Sequence, residues 1–479
     1  MDKESVREKF DELKSSYNDL SKSGKVSSEL RVIIDGLILL MDIVISIFME
    51  KQTKKNDKNS SIPPSQTQKD NTSLSNKGAN SKGKTEKDLV ASNVRTVETC
   101  TVLPVDYCFQ CGESLKDVPC ACIERRTKID IIFEKTVQHY DAEIKNCPAC
   151  DTTSKAQFPG DIYGPLQYGS GIKAYVILLL VYQMISLNRV QKMLKTMIGQ
   201  LMSEATLLKY VLHLHQALEP WENSAKEFLL MQPSIHTDET SIRVDKKKQW
   251  IHVYSSGDVT LKFMHPNRGT KAMNDINIIP RYGGIIIHDC WASYLSYDHC
   301  SHGLCGSHIL RELAFIIESN GYAWAKNMKK LLQEACSNVS KSKRKKLTKK
   351  QYATLQRRYR NILTRGGKEL PEVARKDGAR KGKIAKSDAH NLLERLIKHE
   401  EAVLLFAKNS HVSFTNNRAE RDLRMSKVKQ KVSGCFRVAK YGQAYCRSSS
   451  YIQTMVNKGI NPLIAIQMVL DGKDDLWGE

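Results

Sequence analysis

The sequence has little apolar character at its start, since residues 1–30 are charged and contain no apolar core, so we predict no signal peptide. It also lacks a long unbroken apolar run. The most apolar stretch, residues 32–49, is interrupted by Asp35 and Asp42. Each carboxylate near the centre of a bilayer would cost roughly 2.5–3.5 kcal/mol. We therefore predict a cytoplasmic protein without a membrane span, in which this stretch is a buried or self-associating helix.

Acidic residues are scarce relative to basic ones. The chain has 52 Asp and Glu against 74 Lys and Arg, which gives a formal charge of +22. A charge this large favours a polyanionic partner, such as nucleic acid, over a merely solubilised surface. The 479 residues, 41% of them hydrophobic, predict two to four domains with enough apolar material for a sizeable core.

Apolar residues are nearly missing from residues 51–88, which are rich in Lys, Ser and Asn. Such a segment cannot bury enough surface to offset the entropy of ordering. We therefore predict a disordered basic linker over residues 51–99.

The segment before this linker predicts two helices with a coiled-coil spacing of apolar residues. The repeated positions are Val6, Phe10, Leu13, Tyr17 and Leu20, followed by Leu30, Ile34, Leu37, Met41, Val44 and Phe48. Two alternatives explain the short repeat equally well: the helices pack on each other, or they form a dimer contact.

Cysteines are concentrated between residues 100 and 150, which hold seven of the thirteen. Cys108 and Cys111 form one C-x-x-C pair, and Cys147 and Cys150 form another. Two such pairs can supply four thiolates to a structural zinc ion, and the long gap between them predicts a small hairpin. Cys100, Cys120 and Cys122 are extra and could substitute for a ligand. Clustered cysteines without a secretory signal indicate metal and a reducing cytosol.

The pattern changes to strands after residue 232. Three runs, "SIHTDETSIRV", "WIHVYSSG" and "VTLKFMHPN", predict an antiparallel meander. The run "GGIIIHDC" predicts a fourth strand that is buried on both faces. Helical patterns precede these strands over residues 158–230 and follow them from residue 303.

Three acids stand out around these strands: Asp238, Asp289 and Glu420. Each alone has an ordinary explanation, as a strand-edge residue, the N-cap of a helix "DCWASY", or a capping-box partner of Asn417. Together they are oxygen ligands suited to Mg²⁺, which can catalyse phosphoryl transfer. Glu239 points to the opposite face of its strand and is not expected to share the metal.

The helix that carries Glu420 also predicts a DNA-binding surface. Asn417, Glu420, Arg424, Lys427 and Lys431 share one face by their 3-4-3-4 spacing. A row of cations beside an acid suits a phosphate backbone, whereas an ordinary solvated helix would carry more acids. The predicted DNA-binding residues are Arg418, Arg421, Arg424, Lys427, Lys429, Lys431 and Arg437.

Four stretches, "HTDET", "IIIHDCWASY", "LCGSHILREL" and "NNRAERDLRMSKVKQKVSGCFR", resemble the DDE transposases of the insertion sequence 66 family. The similarity covers nearly the whole chain, including the linker, the cysteine pairs and "GINPLIAIQ". It implies an α/β, ribonuclease-H-like catalytic core, with a mixed sheet and flanking helices. It assigns Asp238, Asp289 and Glu420 to a triad that binds Mg²⁺ or Mn²⁺. His308 and Arg311 match a family motif to which we assign no chemical step.

The resemblance extends the predicted domain organisation. The segments are an N-terminal helical or coiled-coil segment (1–50), the linker (51–99), a cysteine-rich, zinc-ribbon-like module (100–157), a helical DNA-binding region (158–232), the first part of the catalytic core (233–302), a helical basic insertion that contacts DNA (303–412), the core helix with the glutamate (413–450) and a C-terminal helical segment (451–479).

The function implied is metal-dependent cleavage at the terminal inverted repeats of an insertion sequence, followed by joining to target DNA. The expected partners are DNA, other copies of the chain in a synaptic complex and accessory proteins encoded by the element. The expected location is the bacterial nucleoid. Two alternatives share the DNA partner: a non-catalytic regulator, such as an inactivated relative, and a nuclease that cuts without joining.

Overall fold

The computed structural model describes residues 3–23, 26–52, 59, 99–129, 135–372, 386–472 and 477. The described chain divides into two compact units. The first is drawn from residues 1–82 and 222–430, and the second from residues 83–221 and 431–479. Nearly all of the predicted linker, and the basic stretch 373–385, lie outside the described residues. The eight predicted segments remain predictions.

The elements of both units are numbered here in chain order. The strands are β1 (Ile144–Asn146), β2 (Thr153–Lys155), β3 (Ser234–Val244), β4 (Lys247–Ser256), β5 (Val259–His265), β6 (Ile285–His288) and β7 (Ser301–Leu304). The helices are α1 (Lys3–Lys22), α2 (Ser28–Gln52), α3 (Ser170–Ile177), α4 (Leu187–Ile198), α5 (Glu204–Ala217), α6 (Glu219–Leu230), α7 (Thr270–Ile276), α8 (Gly306–Asn320), α9 (Ala323–Lys341), α10 (Lys349–Glu369), α11 (Asp388–Lys398), α12 (Glu400–Lys408), α13 (Asn417–Ser433), α14 (Ala439–Asn457) and α15 (Pro462–Leu470).

The first unit is built on a five-stranded mixed sheet in the order β5-β4-β3-β6-β7. Strands β3, β4 and β5 form the predicted antiparallel meander, and β6 pairs with β3 in parallel. Asp245 and Lys246 join β3 to β4 with φ of 47° and 62°, the left-handed backbone that a two-residue hairpin requires. Strand β7, parallel to β6, was not predicted, because "SHGL" is short and shows no apolar alternation.

Helices from residues 303–412 share one apolar core with this sheet. Ile287 of β6 and Leu304 of β7 belong to the same buried cluster as Leu313, Trp324 and Tyr359 of α8, α9 and α10. The Tyr359 hydroxyl donates a hydrogen bond to the carbonyl oxygen of Leu396, 2.9 Å away, which ties α10 to α11. The predicted helical character of this region is confirmed, and its helices cover the β7 side of the sheet.

The N-terminal helices α1 and α2 also belong to the first unit. The Lys14 ammonium lies 2.5 Å from Asp42 Oδ2, which links the two helices. Several apolar side chains of α2 are nevertheless exposed, including Leu30 and Leu37 at 54% each and Val44 at 51%. Among the described helices, none is long and apolar enough to span a bilayer.

The second unit contains a helical core and a small cysteine-bearing hairpin. The long apolar segment after residue 170 forms two helices, because a π-helical turn over Leu178–Tyr182 separates α3 from α4. The predicted caps are confirmed: Ser203 caps α5, and Asn461 caps α15 with Pro462 in its first turn. Trp221 packs edge-on against Tyr451, with ring centroids 5.1 Å apart.

Candidate active site

The sheet brings Asp238 and Asp289 next to each other. Asp238 lies on the central strand β3, and Asp289 directly follows β6. The parallel register pairs His236 with Ile287. Continuing this register by two residues along each strand places Asp238 opposite Asp289. The backbone alone therefore brings two of the three predicted acids together.

Asp289 does not cap a helix, so that alternative is wrong. The residues after it form turns, and Asp289 Oδ1 accepts a hydrogen bond from the Trp291 backbone N–H at 3.3 Å. The connection from β6 to β7 is instead shaped by tertiary contacts, because it buries Tyr294 and Tyr297, whose hydroxyls donate to Glu239 and Asn274.

Glu420 lies in the first turn of α13, and Asn416 fixes where that helix begins. The Asn416 side-chain amide donates to the Thr237 carbonyl oxygen at 2.8 Å, and its Oδ1 lies 3.0 Å from His236 Nδ1. Asn416 thus joins the start of α13 to the residues just before Asp238. Asn417 is the first helical residue and is exposed, so the capping-box explanation for Glu420 is wrong.

A second contact fastens the same helix to the sheet. Asp422 Oδ2 accepts hydrogen bonds from Ser255 Oγ at 2.7 Å and Thr260 Oγ1 at 2.8 Å. Arg418 Nε donates to the same oxygen at 3.0 Å. Sequence reasoning missed both Asn416 and Asp422, although they flank Glu420 within the quoted "NNRAERDLR" stretch. A second acid beside Glu420 on an otherwise basic helix was the available signal.

The acids are electrostatically coupled. Burial, together with the charges of Glu239, Asp289 and Glu420, raises the pKa of Asp238 to about 8. Their carboxylate oxygens are more widely spread than those of a compact metal cluster. Among the described residues, only Cys305, His308 and Glu420 bring three ligand atoms within 4.8 Å of one another.

Glu239 is held on the other side of β3, as expected. Its Oε1 accepts a hydrogen bond from Arg268 Nε at 2.7 Å, and its Oε2 accepts one from the Tyr294 hydroxyl at 2.5 Å. The Arg268 guanidinium lies between two indole rings, 4.9 Å from the Trp250 centroid and 4.1 Å from the Trp291 centroid. Glu239 is therefore a buried carboxylate paired with the partly exposed Arg268 guanidinium.

His308 and Arg311 both reach Glu420. His308 Nδ1 lies 3.7 Å from Glu420 Oε1, and Arg311 Nη2 lies 4.0 Å from Oε2. Burial lowers the pKa of His308, but Cys305 and Glu420 outweigh it and raise that pKa to about 8. Burial raises the pKa of the Cys305 thiol, but its contacts with His308 and Asn416 bring it below the usual value. His308 and Arg311 thus both lie beside Glu420.

The model of the transposase IS66 family matches residues 165–444, which is more than half of the chain. The chain belongs to the IS66 transposase family. Membership implies a DNA-processing enzyme that acts in transposition and recombination. No curated protein matches the sequence. The matched segment contains all three acids, Asn416 and the Cys305–His308 pair, whereas the cysteine-rich module precedes it.

The predicted DNA-binding cations of this IS66 transposase differ in their surroundings. Arg421, Arg424 and Lys427 are exposed on α13, and so are Lys431 and Arg437 in the second unit. Two others are more confined. Arg418 pairs with Asp422, and burial lowers the pKa of half-buried Lys429 to about 8. The exposed members are the ones with side chains open to a phosphate backbone.

The two cysteine pairs of the family member adopt matching turns. In the first, Cys108 N–H donates to the Glu113 carbonyl at 2.9 Å, and Gly112 N–H donates to the Cys108 carbonyl at 2.8 Å. In the second, Cys147 N–H donates to the Thr152 carbonyl at 3.0 Å, and Asp151 N–H donates to the Cys147 carbonyl at 2.9 Å.

Each turn leaves the second cysteine followed by a residue with positive φ, 75° at Gly112 and 55° at Asp151. The predicted hairpin between the pairs is absent from the described residues 112–129 and 135–143. The hairpins instead surround the pairs, because β1 and β2 flank the second pair and Tyr107 bridges to Ser114 around the first. The four sulfur atoms do not gather into one compact group.

Proposed function

We propose that this IS66-family protein is a DDE transposase in which Asp238, Asp289 and Glu420 hold a catalytic divalent cation, Mg²⁺ or Mn²⁺. The observation that carries the proposal is the register of β3 and β6, which sets Asp238 beside Asp289. Asn416 then brings the helix of Glu420 to the same strand. These two contacts support a site formed by three acids from distant parts of the sequence.

The proposed core is ribonuclease-H-like. Three features support this: the strand order β5-β4-β3-β6-β7, the first acid on the first strand of the sheet, and the second acid after the fourth. The third acid lies on the later helix α13. This is the arrangement that the family resemblance leads us to expect.

The donor set fits a hard cation, because three carboxylates offer only oxygen atoms. The rise in the Asp238 pKa also fits, since neighbouring negative charges favour a bound cation. A bound Mg²⁺ would supply Lewis-acid stabilisation of the charge that develops on the phosphoryl oxygens. The residues of the chain hold the acids in place: Asn416 and Asp422 fix α13 against β3, β4 and β5.

The proposed reaction is cleavage at the ends of the element, followed by attack of the freed 3′-hydroxyl on target DNA. Positioning dominates such phosphoryl transfers. Arg421, Arg424 and Lys427 are exposed along the helix that carries Glu420, so they would bind the phosphate backbone beside the acids. DNA of the bacterial nucleoid is then the expected partner.

Two further parts of the proposal concern assembly. The matching turns at Cys108–Cys111 and Cys147–Cys150 support a structural zinc bound by four thiolates. The exposed apolar residues of α2 support self-association in a synaptic complex, because a contiguous apolar face on a helix needs a partner. Accessory proteins encoded by the element would act on the same complex.

An end-joining assay tests the proposal. The full-length protein is incubated with Mg²⁺, labelled ends of its own element and a supercoiled target. We expect cleaved and joined products from the wild type. Asp289→Asn and Glu420→Gln should each lower the rate by about 10²- to 10³-fold or more, the scale of losing one charge-stabilising group. Asp275→Asn, an exposed carboxylate on α7, is the matched control.

The same assay separates the alternatives. Full joining by either triad variant would overturn the assignment of the acids. End binding without cleavage in Mg²⁺ or Mn²⁺ would indicate a non-catalytic regulator. Cleavage without joined product would indicate a nuclease.

A further inference from the structure

A second group of ligand side chains lies beside the proposed triad and shares one residue with it. Cys305, His308 and Glu420 each place one ligand atom within 4.8 Å of the others. Cys305 precedes α8, His308 lies in the first turn of α8, and Glu420 lies in the first turn of α13. Two helix starts therefore build this group, which we call the CHE cluster.

Backbone contacts hold the two helix starts together. The Gly306 N–H donates to the Phe414 carbonyl at 2.8 Å, and the Asn416 N–H donates to Cys305 Sγ at 3.1 Å. A side chain at position 306 would collide with the Phe414 ring, so only glycine permits this approach. An N–H bond to sulfur is also the kind of outer contact that orients a metal-binding thiolate.

Two polar atoms of the CHE cluster face each other without a hydrogen bond. His308 Nδ1 and Glu420 Oε1 are 3.7 Å apart, which is too long for a hydrogen bond. Both atoms are buried and are without a hydrogen-bond partner among the described residues, although the His308 ring also contacts the Cys305 thiol. Buried polar atoms of this kind call for an explanation, and an ion between them is one.

The spacing fits a tetrahedral ion. With metal–nitrogen and metal–oxygen bonds of about 2.0–2.2 Å, two ligands of a tetrahedral zinc lie about 3.3–3.5 Å apart. The observed separation exceeds this by only a few tenths of an ångström. Sulfur, imidazole and carboxylate together favour a thiophilic ion such as Zn²⁺ and disfavour Mg²⁺, which prefers octahedral oxygen ligands.

We propose that Cys305, His308 and Glu420 bind a thiophilic divalent cation of the Zn²⁺ class, and that this ion competes with the catalytic cation for Glu420. The binding site stands on the geometry of the CHE cluster alone. The competition rests on the proposed function, because it requires Glu420 to belong to the triad. Zinc bound here would withdraw one triad ligand and so inhibit the enzyme.

Cobalt binding tests the site itself. The full-length protein is stripped with a chelator and reconstituted with Co²⁺, whose absorption reports thiolate and tetrahedral ligation. The amount of Co²⁺ bound by the two cysteine pairs, Cys108 with Cys111 and Cys147 with Cys150, should be the same in every variant. We expect Cys305→Ser and His308→Gln each to bind about one Co²⁺ fewer per chain than the wild type. Cys305→Ser should also lose part of the thiolate-to-cobalt band.

Cys336→Ser is the matched control, since Cys336 is a partly buried cysteine of α9 outside the CHE cluster. It should bind as much Co²⁺ as the wild type. Melting curves identify any variant that fails to fold. If one of the two ligand variants fails to fold, the other still tests the site. Equal Co²⁺ uptake and spectra in the wild type, Cys305→Ser and His308→Gln would overturn the site.

Manganese binding, followed by the electron paramagnetic resonance of free Mn²⁺, tests the competition. Zn²⁺, added beyond the amount that fills the cysteine pairs, should weaken Mn²⁺ binding at least about tenfold in the wild type and less than about twofold in Cys305→Ser. Equal weakening in both would overturn the competition. Failure of the wild type to bind Mn²⁺ at all would instead contradict the proposed triad and leave the cobalt result standing.

Discussion

The three acids and the two cysteine pairs are both candidate metal sites, but the chain builds them in different ways. The acids lie on adjacent strands and on a helix that buried side chains fasten to those strands. The cysteines lie in short turns held by local backbone bonds, and Cys111 and Cys150 are exposed. Tertiary packing therefore holds the elements that carry the acids, whereas only local turns hold each cysteine pair, and we expect the cysteine module to depend on an ion to join its two halves.

The largest expected effect follows from this contrast. Apparent binding energies of structural zinc are about 10–16 kcal/mol in small zinc modules, so a strong chelator should unfold residues 100–157. The sheet of the first unit should survive, because an apolar core stabilises it. Limited proteolysis mapped by mass spectrometry checks both the unfolding of residues 100–157 and the survival of the sheet. Cys147→Ser should reproduce the effect and Cys435→Ser should not. Equal protection of residues 100–157 from the protease before and after chelation would contradict the expected dependence of the cysteine module on an ion.

Asn416 is the single residue whose loss should loosen the acid site most. Asn416→Ala leaves Thr237 O and His236 Nδ1 without their partner, at a cost of about 2–4 kcal/mol in the free energy of unfolding. Mn²⁺ affinity should fall at least about tenfold, because α13 is no longer tied to β3. Asn409→Ala, which removes a single bond to His411 N–H, should cost less than about 1 kcal/mol. Unchanged Mn²⁺ affinity in Asn416→Ala would exclude the positioning role.

The coupled acids should make the metal-free protein less stable as pH rises. The folded-state pKa of Asp238 is about 8, above its ordinary value of 3.8, so the folded state binds the extra proton between these two pH values. The free energy of unfolding should therefore fall as pH rises from about 4 through about 8. Asp238→Asn should flatten this dependence and raise the Tm of the metal-free protein at pH 8.5 by several degrees.

Mg²⁺ provides the control for this titration. It should raise the Tm of the wild type at pH 8.5, because the ionised carboxylates then bind the ion, and it should leave Asp238→Asn nearly unchanged. A wild-type stability that is flat between pH 4 and 8 would show that burial and the neighbouring acids do not raise the pKa of Asp238.

The smallest expected effect concerns the exposed cations of α13. If Arg424 contacts one phosphate, Arg424→Ala should reduce the slope of log affinity against log salt by about 0.9. Arg358 is a suitable control, because its guanidinium pairs with Glu334 at 2.9 Å on α10 and α9. Equal slopes for Arg424→Ala and the wild type would remove Arg424 from the DNA-binding surface.

The sequence was most informative where local pattern decides structure. Alternation and turn residues predicted the meander of β3, β4 and β5, and the isoleucine run predicted β6. Helix caps at Ser203 and Asn461 were predicted because an N-cap depends only on the next few residues. The three acids were predicted on β3, after β6 and on a later helix, and the structure has them there.

Contacts between distant segments could not be predicted in the same way. Nothing local to Asn416 indicates that its amide reaches Thr237, which is 179 residues away. The CHE cluster was missed for a related reason. Cys305 and His308 have a C-x-x-H spacing that could have drawn attention, but Glu420 joins them only through the packing of α8 beside α13.

Iron-directed cleavage of the protein backbone shows whether one ion contacts all three acids. Bound Fe²⁺ reduces added hydrogen peroxide to hydroxyl radicals, which cut the chain next to the ion, and ascorbate regenerates Fe²⁺. We expect cuts near residues 238, 289 and 420 in the full-length protein, all suppressed together by excess Mg²⁺, and none of them in Asp289→Asn. Cuts that Mg²⁺ does not suppress, or that omit one of the three segments, would contradict a shared metal site.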